Sequence, residues 1–238
     1  MKKIDPMTKN LIPELNSSEL VYCDTLKNKK QYLNAINSLR ALNLEQHEDP
    51  PKNWDTLAAL DILKNEPLLT DENYILDAGG EFYSVILKHL SSFGFKKLYC
   101  LNLAFTKQEC EDNITYIPGD ITRTDFSDNT FKVITCLSVI EHGVCINSFF
   151  SEMQRILQQS GLLIISTDYW VDPVETFDKK AYGVPIKVFS KKEILEVIEI
   201  AKEYGLELVG NVNLECDQKT INWEGLDFTF IYFTFRKK

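Results

Sequence analysis

Apolar residues recur along this chain in two rhythms, and the change between them divides it. Up to about residue 70 the spacing is helical. Leu26, Leu33, Ile36 and Leu39 make one stripe that ends before Pro50-Pro51. Leu57, Leu60 and Leu63 make a second, with Asn53 available as its cap and Pro67 as its stop. From Tyr74 onward short β-rich runs alternate with amphipathic helical ones. This pattern predicts strands at Tyr74–Ala78, Lys97–Leu103, Ile114–Ile117, Lys132–Val139 and Leu162–Thr167, with helices near Tyr83–Phe93 and Asn147–Gln158 between them. Gly94 and Gly161 fall just past those helices, where a left-handed residue is expected. Ser190-Lys191-Lys192-Glu193 reads as a capping box opening a helix that buries Ile194, Val197, Ile198 and Ala201 and stops before Gly205. Strands at Leu206–Val212 and Asp227–Phe235 close the chain. The last has Phe228, Phe230 and Tyr232 on one face and Ile231, Phe233 and Phe235 on the other, as an interior strand requires.

The organisation expected is therefore α/β: a three-layer core domain over residues 71–238, built on a mostly parallel sheet, with residues 1–70 as a helical extension packed on it. Residues 168–189 read as a long loop rich in Tyr, Trp, Pro and Asp, of the kind that often binds ligand.

With 238 residues, 44% of them hydrophobic, the chain has enough apolar surface to bury a core of its own. No apolar run approaches the roughly 20 residues of a membrane span, and the amino terminus lacks the apolar stretch of a secretory signal, so a cytoplasmic protein with no membrane partner is expected. Six cysteines are scattered without a Cys-x-x-Cys pair, which predicts free, mostly buried thiols. The acidic residues do not cluster with histidines at ligand spacing, so no metal is expected. A net charge of −9 disfavours a phosphate backbone as partner, so nucleic acid is not expected either.

The run Ile75-Leu76-Asp77-Ala78-Gly79-Gly80 is an apolar strand ending in a small-residue turn that feeds a helix, a geometry that lets backbone approach a nucleotide-like ligand. Any α/β protein can also use such a turn structurally. Pro118-Gly119-Asp120-Ile121 ends the third core strand. The run from Phe126 to His142 comprises a short turn, a buried strand and a Glu141-His142 pair at its exit. A helix resembling Phe150-Ser151-Glu152-Met153-Gln154-Arg155-Ile156-Leu157 and the strand Gly161-Leu162-Leu163-Ile164-Ile165-Ser166-Thr167 follow.

Together these segments resemble the class I S-adenosylmethionine-dependent methyltransferases of small-molecule type, over roughly Asn53 to Phe235, and look like a bacterial subgroup. The resemblance implies a Rossmann-like, seven-stranded sheet whose last strand is antiparallel, with S-adenosylmethionine as cofactor and S-adenosylhomocysteine as product. It implies cofactor contacts at Asp77, Gly79, Gly80, Asn102, Asp120, Ile121 and Ser138. Glu141, Tyr169, Trp170 and Tyr182 become candidates for a small-molecule acceptor, a saccharide or other metabolite, although loop aromatics can equally cover the core. His142 either takes a proton from the acceptor or holds its loop. His47 and His89 are expected at the surface.

Two departures from the family pattern bear on affinity. Glu81, Phe82 and Tyr83 stand where the family has further glycines. Asn102 stands where the family presents an acid to the ribose hydroxyls, so restoring it by Asn102→Asp is expected to tighten cofactor binding about tenfold. A degenerate member that serves as an interaction module is the alternative. A nicotinamide dehydrogenase is disfavoured because Gly-x-Gly-x-x-Gly is absent after the first strand.

Overall fold

The computed structural model describes residues 11–15, 20–67 and 69–238, so residues 1–10, 16–19 and 68 of the expected amino-terminal extension lie outside the described residues. The elements run β1 (Cys23–Thr25), α1 (Lys29–Ala41), α2 (Lys52–Lys64), β2 (Tyr74–Ala78), α3 (Ile86–Ser92), β3 (Lys97–Asn102), β4 (Glu109–Glu111), β5 (Ile114–Pro118) and β6 (Phe131–Leu137). They continue with α4 (Ile146–Ile156), β7 (Leu157–Trp170), β8 (Lys180–Ala181), β9 (Val184–Pro185), β10 (Phe189–Ser190), α5 (Lys191–Glu203), β11 (Leu206–Leu208), β12 (Ile221–Trp223) and β13 (Leu226–Lys237).

The main sheet has the order β1-β13-β7-β6-β2-β3-β5-β4. Strands β7, β6, β2, β3 and β5 are mutually parallel, and β13 enters antiparallel to β7. The mostly parallel sheet with an antiparallel last strand is thus as expected. The strand count is higher because short segments (β1, β4, β10 and β12) pair onto its margins and onto β7 and β13, while β11 is the start of the expected Leu206–Val212 strand.

Strand periodicity sorts the core into two layers. On one face Ile75, Val133, Leu162, Ile164, Phe228, Phe230 and Tyr232 pack under α1, α2 and α3. On the other Leu76, Ile134, Leu163, Ile165, Ile231, Phe233 and Phe235 pack under α4 and α5. Successive residues of each strand alternate between the layers, as a pleated strand buried on both faces must. The capping box at Ser190 forms, with its hydroxyl and Glu193 bonding reciprocally, and Gly205 takes φ +76° past α5.

Several local expectations change. The first helical stripe is displaced: Leu26 precedes α1, Leu33 is 52% exposed, and Ala35 and Leu39 carry the buried face. Helix α3 starts at Ile86 rather than Tyr83, because Glu81–Ser84 form a turn in which the Ser84 hydroxyl accepts the Glu81 N–H. Gly161 is not a helix terminator. Ser160 takes φ +59° where the register of β7 against β6 shifts in a bulge, and Gly161 lies inside β7, where a Cβ would press on Leu157. All six cysteines are free, with Cys110 and Cys145 exposed and the others buried. No helix among the described residues is long and apolar enough to cross a membrane.

Candidate active site

The carboxyl ends of β2, β3, β5 and β6 open into a cavity of about 660 Å³, inside the roughly 300–1,000 Å³ range of small-molecule sites. Open α/β sheets bind ligands at this edge. Strand β2 delivers Asp77, which is 2% exposed and accepts a 2.7 Å hydrogen bond from Thr135 Oγ1. The following turn is shaped by two glycines for different reasons. Gly79 has φ +87°, and a Cβ there would lie 2.5 Å from Val139 Cγ1; at Gly80 a Cβ would run into the Asp77 carboxylate and come within 2.9 Å of Cys100 Sγ.

Asn102, at the end of β3, reaches back to this turn. Its amide nitrogen donates to the carbonyls of Gly79 and Gly80, both at 3.0 Å, while its oxygen accepts the Ala104 N–H at 2.8 Å. After β5, Asp120 accepts from the Thr122 N–H and hydroxyl, and Ile121 is buried beside it.

The exit of β6 is strained and tightly held. Ser138 adopts φ +54°, an uncommon conformation for a non-glycine residue. Its N–H donates to both the carbonyl and the hydroxyl oxygen of Ser166, and the Ser166 hydroxyl donates to Asp55 Oδ2 at 2.5 Å. Ser138 Oγ and His142 Nδ1 are buried and have no hydrogen-bond partner. Both residues line the cavity, so each presents a polar atom that a bound ligand could satisfy.

A chain of rings crosses the mouth. His47 meets Tyr83 edge-on at 5.8 Å, the Tyr83 and Tyr182 hydroxyls are 2.8 Å apart, and Tyr182 meets His142 edge-on at 5.3 Å. Tyr182 sits at the tip of the β8–β9 hairpin, where it and Gly183 both have positive φ.

Of the residues singled out from sequence, Asp77, Gly79, Asn102, Asp120, Ile121, Ser138, His142 and Tyr182 line this cavity, while Gly80 backs the turn. Besides Gly80, three others do not line it. Tyr169 is fully buried with its hydroxyl on the Leu214 carbonyl, because β7 runs on to Trp170 and pairing with β13 turns Tyr169 into the core. Trp170 leaves the same strand end to pack partly on the core, with the Lys219 ammonium 5.0 Å from its ring. Glu141 is 1% exposed and accepts from the Thr167 hydroxyl behind the cavity wall. The expected binding loop at 168–189 therefore begins as strand, and only its hairpin reaches the site.

Other cavity residues were not named as site residues from the sequence: His47, Lys52, Asp55, Thr56, Glu81 and Tyr83. The first four come from the segment leading into α2 and its first turn, brought over the sheet edge by the fold. His89, expected at the surface, is 1% exposed and bonded through Nε2 to the Glu45 carbonyl.

Burial dominates the electrostatics here. It pushes Asp55 and Asp77 up to about 6, against the hydrogen bonds each receives, and Asp55 raises Asp77 further. Burial lowers His142 to about 4, with Lys52 adding to the effect. Carboxyls raised in this way bind protons more tightly when folded than unfolded. Between about pH 4 and 6 their contribution to stability therefore falls as pH rises. We expect Asp55→Asn to flatten the decline in thermal midpoint between pH 4 and 6, as followed by circular dichroism; an unchanged slope would contradict this assignment.

Residues 79–165 match the methyltransferase domain family. Among curated proteins, sterol 24-C-methyltransferases of Debaryomyces hansenii and Yarrowia lipolytica are 24% and 23% identical over 126 and 122 residues, covering 49% and 47% of this chain. The chain spans only about a third of the length of these relatives, 33% and 31%. Among solved structures, the geranyl diphosphate C-methyltransferase of Streptomyces coelicolor A3(2) superposes with a TM-score of 0.61 at 13% identity, covering 94% of this chain and 95% of that one. The 1,6-didemethyltoxoflavin-N1-methyltransferase of Burkholderia thailandensis superposes with a TM-score of 0.52 at 13% identity, covering 70% and 71%. The chain has the class I methyltransferase fold.

Proposed function

We propose that this protein is an S-adenosylmethionine-dependent methyltransferase acting on a small-molecule acceptor, a saccharide or other metabolite, with S-adenosylhomocysteine as product. The observation that carries this reading is the cavity itself: an acidic, glycine-cradled pocket at the sheet edge that holds two unsatisfied buried polar atoms. Asp55, Asp77, Glu81 and Asp120 give it a negative lining opposed by Lys52, which suits a ligand carrying sulfonium and ammonium charge. Similar proteins support the reading. The Streptomyces structure contains S-adenosyl-L-homocysteine and geranyl diphosphate, and the Burkholderia structure contains S-adenosylhomocysteine with 1,6-didemethyltoxoflavin.

In this reading Asp77, the turn at Gly79 and Gly80, Asn102, Asp120, Ile121 and Ser138 bind the cofactor, which supplies an electrophilic methyl group when present. Ser138 Oγ and the strained turn at the exit of β6 fix the methionine end. The Tyr83–Tyr182 pair closes the mouth and excludes water, leaving Tyr182 beside the acceptor. Holding two reactants in line accounts for much of the rate such sites achieve. His142, neutral throughout the physiological range, can accept a proton from the acceptor through its free Nδ1. We further propose that the described residues among 1–70 form an amino-terminal extension that packs on the core, with His47, Lys52, Asp55 and Thr56 reaching the cavity.

His142→Ala is expected to lower single-turnover rate about a hundredfold while leaving S-adenosylhomocysteine affinity nearly unchanged. The wild-type rate should show no inflection from this residue between pH 6 and 8. Equal rates in both proteins would reduce His142 to a wall residue.

A further inference from the structure

Asn102 and Glu81 stand side by side in the cavity, and their hydrogen bonding divides the labour between them. The Asn102 amide nitrogen is committed to the carbonyls of Gly79 and Gly80, and its oxygen to the Ala104 N–H. A carboxylate at position 102 could not donate these bonds and would face two carbonyl oxygens. Asn102 is therefore what closes the glycine turn onto the end of β3.

Glu81 is the next residue of that turn and lines the cavity. Burial raises the proton affinity of its carboxyl, the neighbouring Asn102 side chain opposes this, and no cation contributes. A cavity-facing carboxylate beside an amide already committed to the turn, and without a cation partner, retains free lone pairs for ligand hydroxyls. In open α/β sheets, ligand sugar hydroxyls commonly meet an acid near the tips of the first two core strands.

We propose that Glu81 is the carboxylate that accepts hydrogen bonds from the vicinal ribose hydroxyls of the cofactor, and that Asn102 is a positioning residue that orients it. The acid has moved from the strand end into the turn, which accounts for a bulky residue at 81 and a carboxamide at 102 in one chain. This rests on the cofactor assignment above. It also reverses the expectation drawn from sequence, since Asn102→Asp should now weaken binding.

Calorimetric titration of the full chain with S-adenosylhomocysteine, adenosine and 2′-deoxyadenosine tests the proposal. Glu81→Gln, close to isosteric, should weaken S-adenosylhomocysteine about tenfold and erase the preference of the wild type for adenosine over 2′-deoxyadenosine. A purely structural role for Glu81 would leave that preference intact. Asn102→Asp should weaken S-adenosylhomocysteine by a similar factor. Unchanged affinity and selectivity in Glu81→Gln, or tighter binding in Asn102→Asp, would overturn the proposal while leaving the cofactor assignment standing. Failure of the wild type to bind S-adenosylhomocysteine would overturn both.

Discussion

Replacing Gly80 with alanine should weaken S-adenosylhomocysteine binding by about tenfold to a hundredfold while the protein still folds. The added methyl group would enter the space of the Asp77 carboxylate and lie 2.9 Å from Cys100 Sγ. Neither neighbour can yield easily. Asp77 is 2% exposed and tied to Thr135 by a 2.7 Å hydrogen bond, and Cys100 is buried on the adjacent strand in register with it. The turn must move instead, carrying away the carbonyls that Asn102 holds and distorting the cradle. Overpacking of this kind costs about 1–3 kcal/mol, which sets the expected range when the strain falls on the bound state. Gly94→Ala is the control. Gly94 has φ +98° and nothing within 4 Å of its would-be Cβ, so that variant should lose stability through backbone strain but keep its affinity. Equal affinity in Gly80→Ala and wild type would show that the turn is not part of the binding surface.

Glu66→Ala should cost about 3 kcal/mol of stability and leave cofactor affinity unchanged under conditions where the protein stays folded. Glu66 lies just past α2, with its side chain 4% exposed, and forms ion pairs with Lys132 at 3.3 Å and Arg236 at 2.8 Å. Lys132 is itself 7% exposed at its side chain, so removing the carboxylate strands a buried ammonium. Breaking a buried pair from one side typically costs about 3–5 kcal/mol. The lower figure applies because Arg236, a third exposed, can turn to water and relieve part of the penalty. The cluster joins the start of β6 to the end of β13, at the sheet edge opposite the cavity, which is why affinity should not follow stability. Urea titration gives the first quantity and calorimetry the second. A loss below about 1 kcal/mol would place this network among surface pairs of little consequence.

Much of the architecture was legible in the chain because it follows from local pattern. The two-faced alternation of Phe228–Phe235 predicted an interior strand, and those residues divide between the two core layers. The Ser190 capping box and Gly205 marked both ends of α5. Strand β1 was not legible. Its three residues have no periodicity to read, and they become a strand only by pairing with β13 more than 200 positions away. Tyr169 misled for a related reason: aromatic and polar residues after Thr167 look like loop, yet pairing with β13 extends β7 through them.

The candidate site divides in the same way. Asp77, Asn102, Asp120 and His142 could be found because strand ends in an α/β sheet converge on one edge, so position along the chain implies proximity. Lys52 and Asp55 could not. Their helix looks like an ordinary amphipathic segment, and an acid in its first turn is already explained by the helix dipole. Only the packing of α2 over the sheet edge, with Asp55 accepting from Ser166, reveals the connection. Glu81 was visible as a departure from a glycine-rich pattern, but the hold of Asn102 on the turn that carries Glu81 needed the turn's hydrogen bonds.

The central claim is that the cavity binds S-adenosylmethionine. Isothermal titration of the wild-type protein with S-adenosylmethionine and S-adenosylhomocysteine at pH 7, with NAD as comparison, tests it most directly. The account predicts saturable one-to-one binding of both sulfur nucleosides and none of NAD. Absence of binding by either at about millimolar concentration, where even a standard free energy near −4 kcal/mol gives half-occupancy, would contradict it.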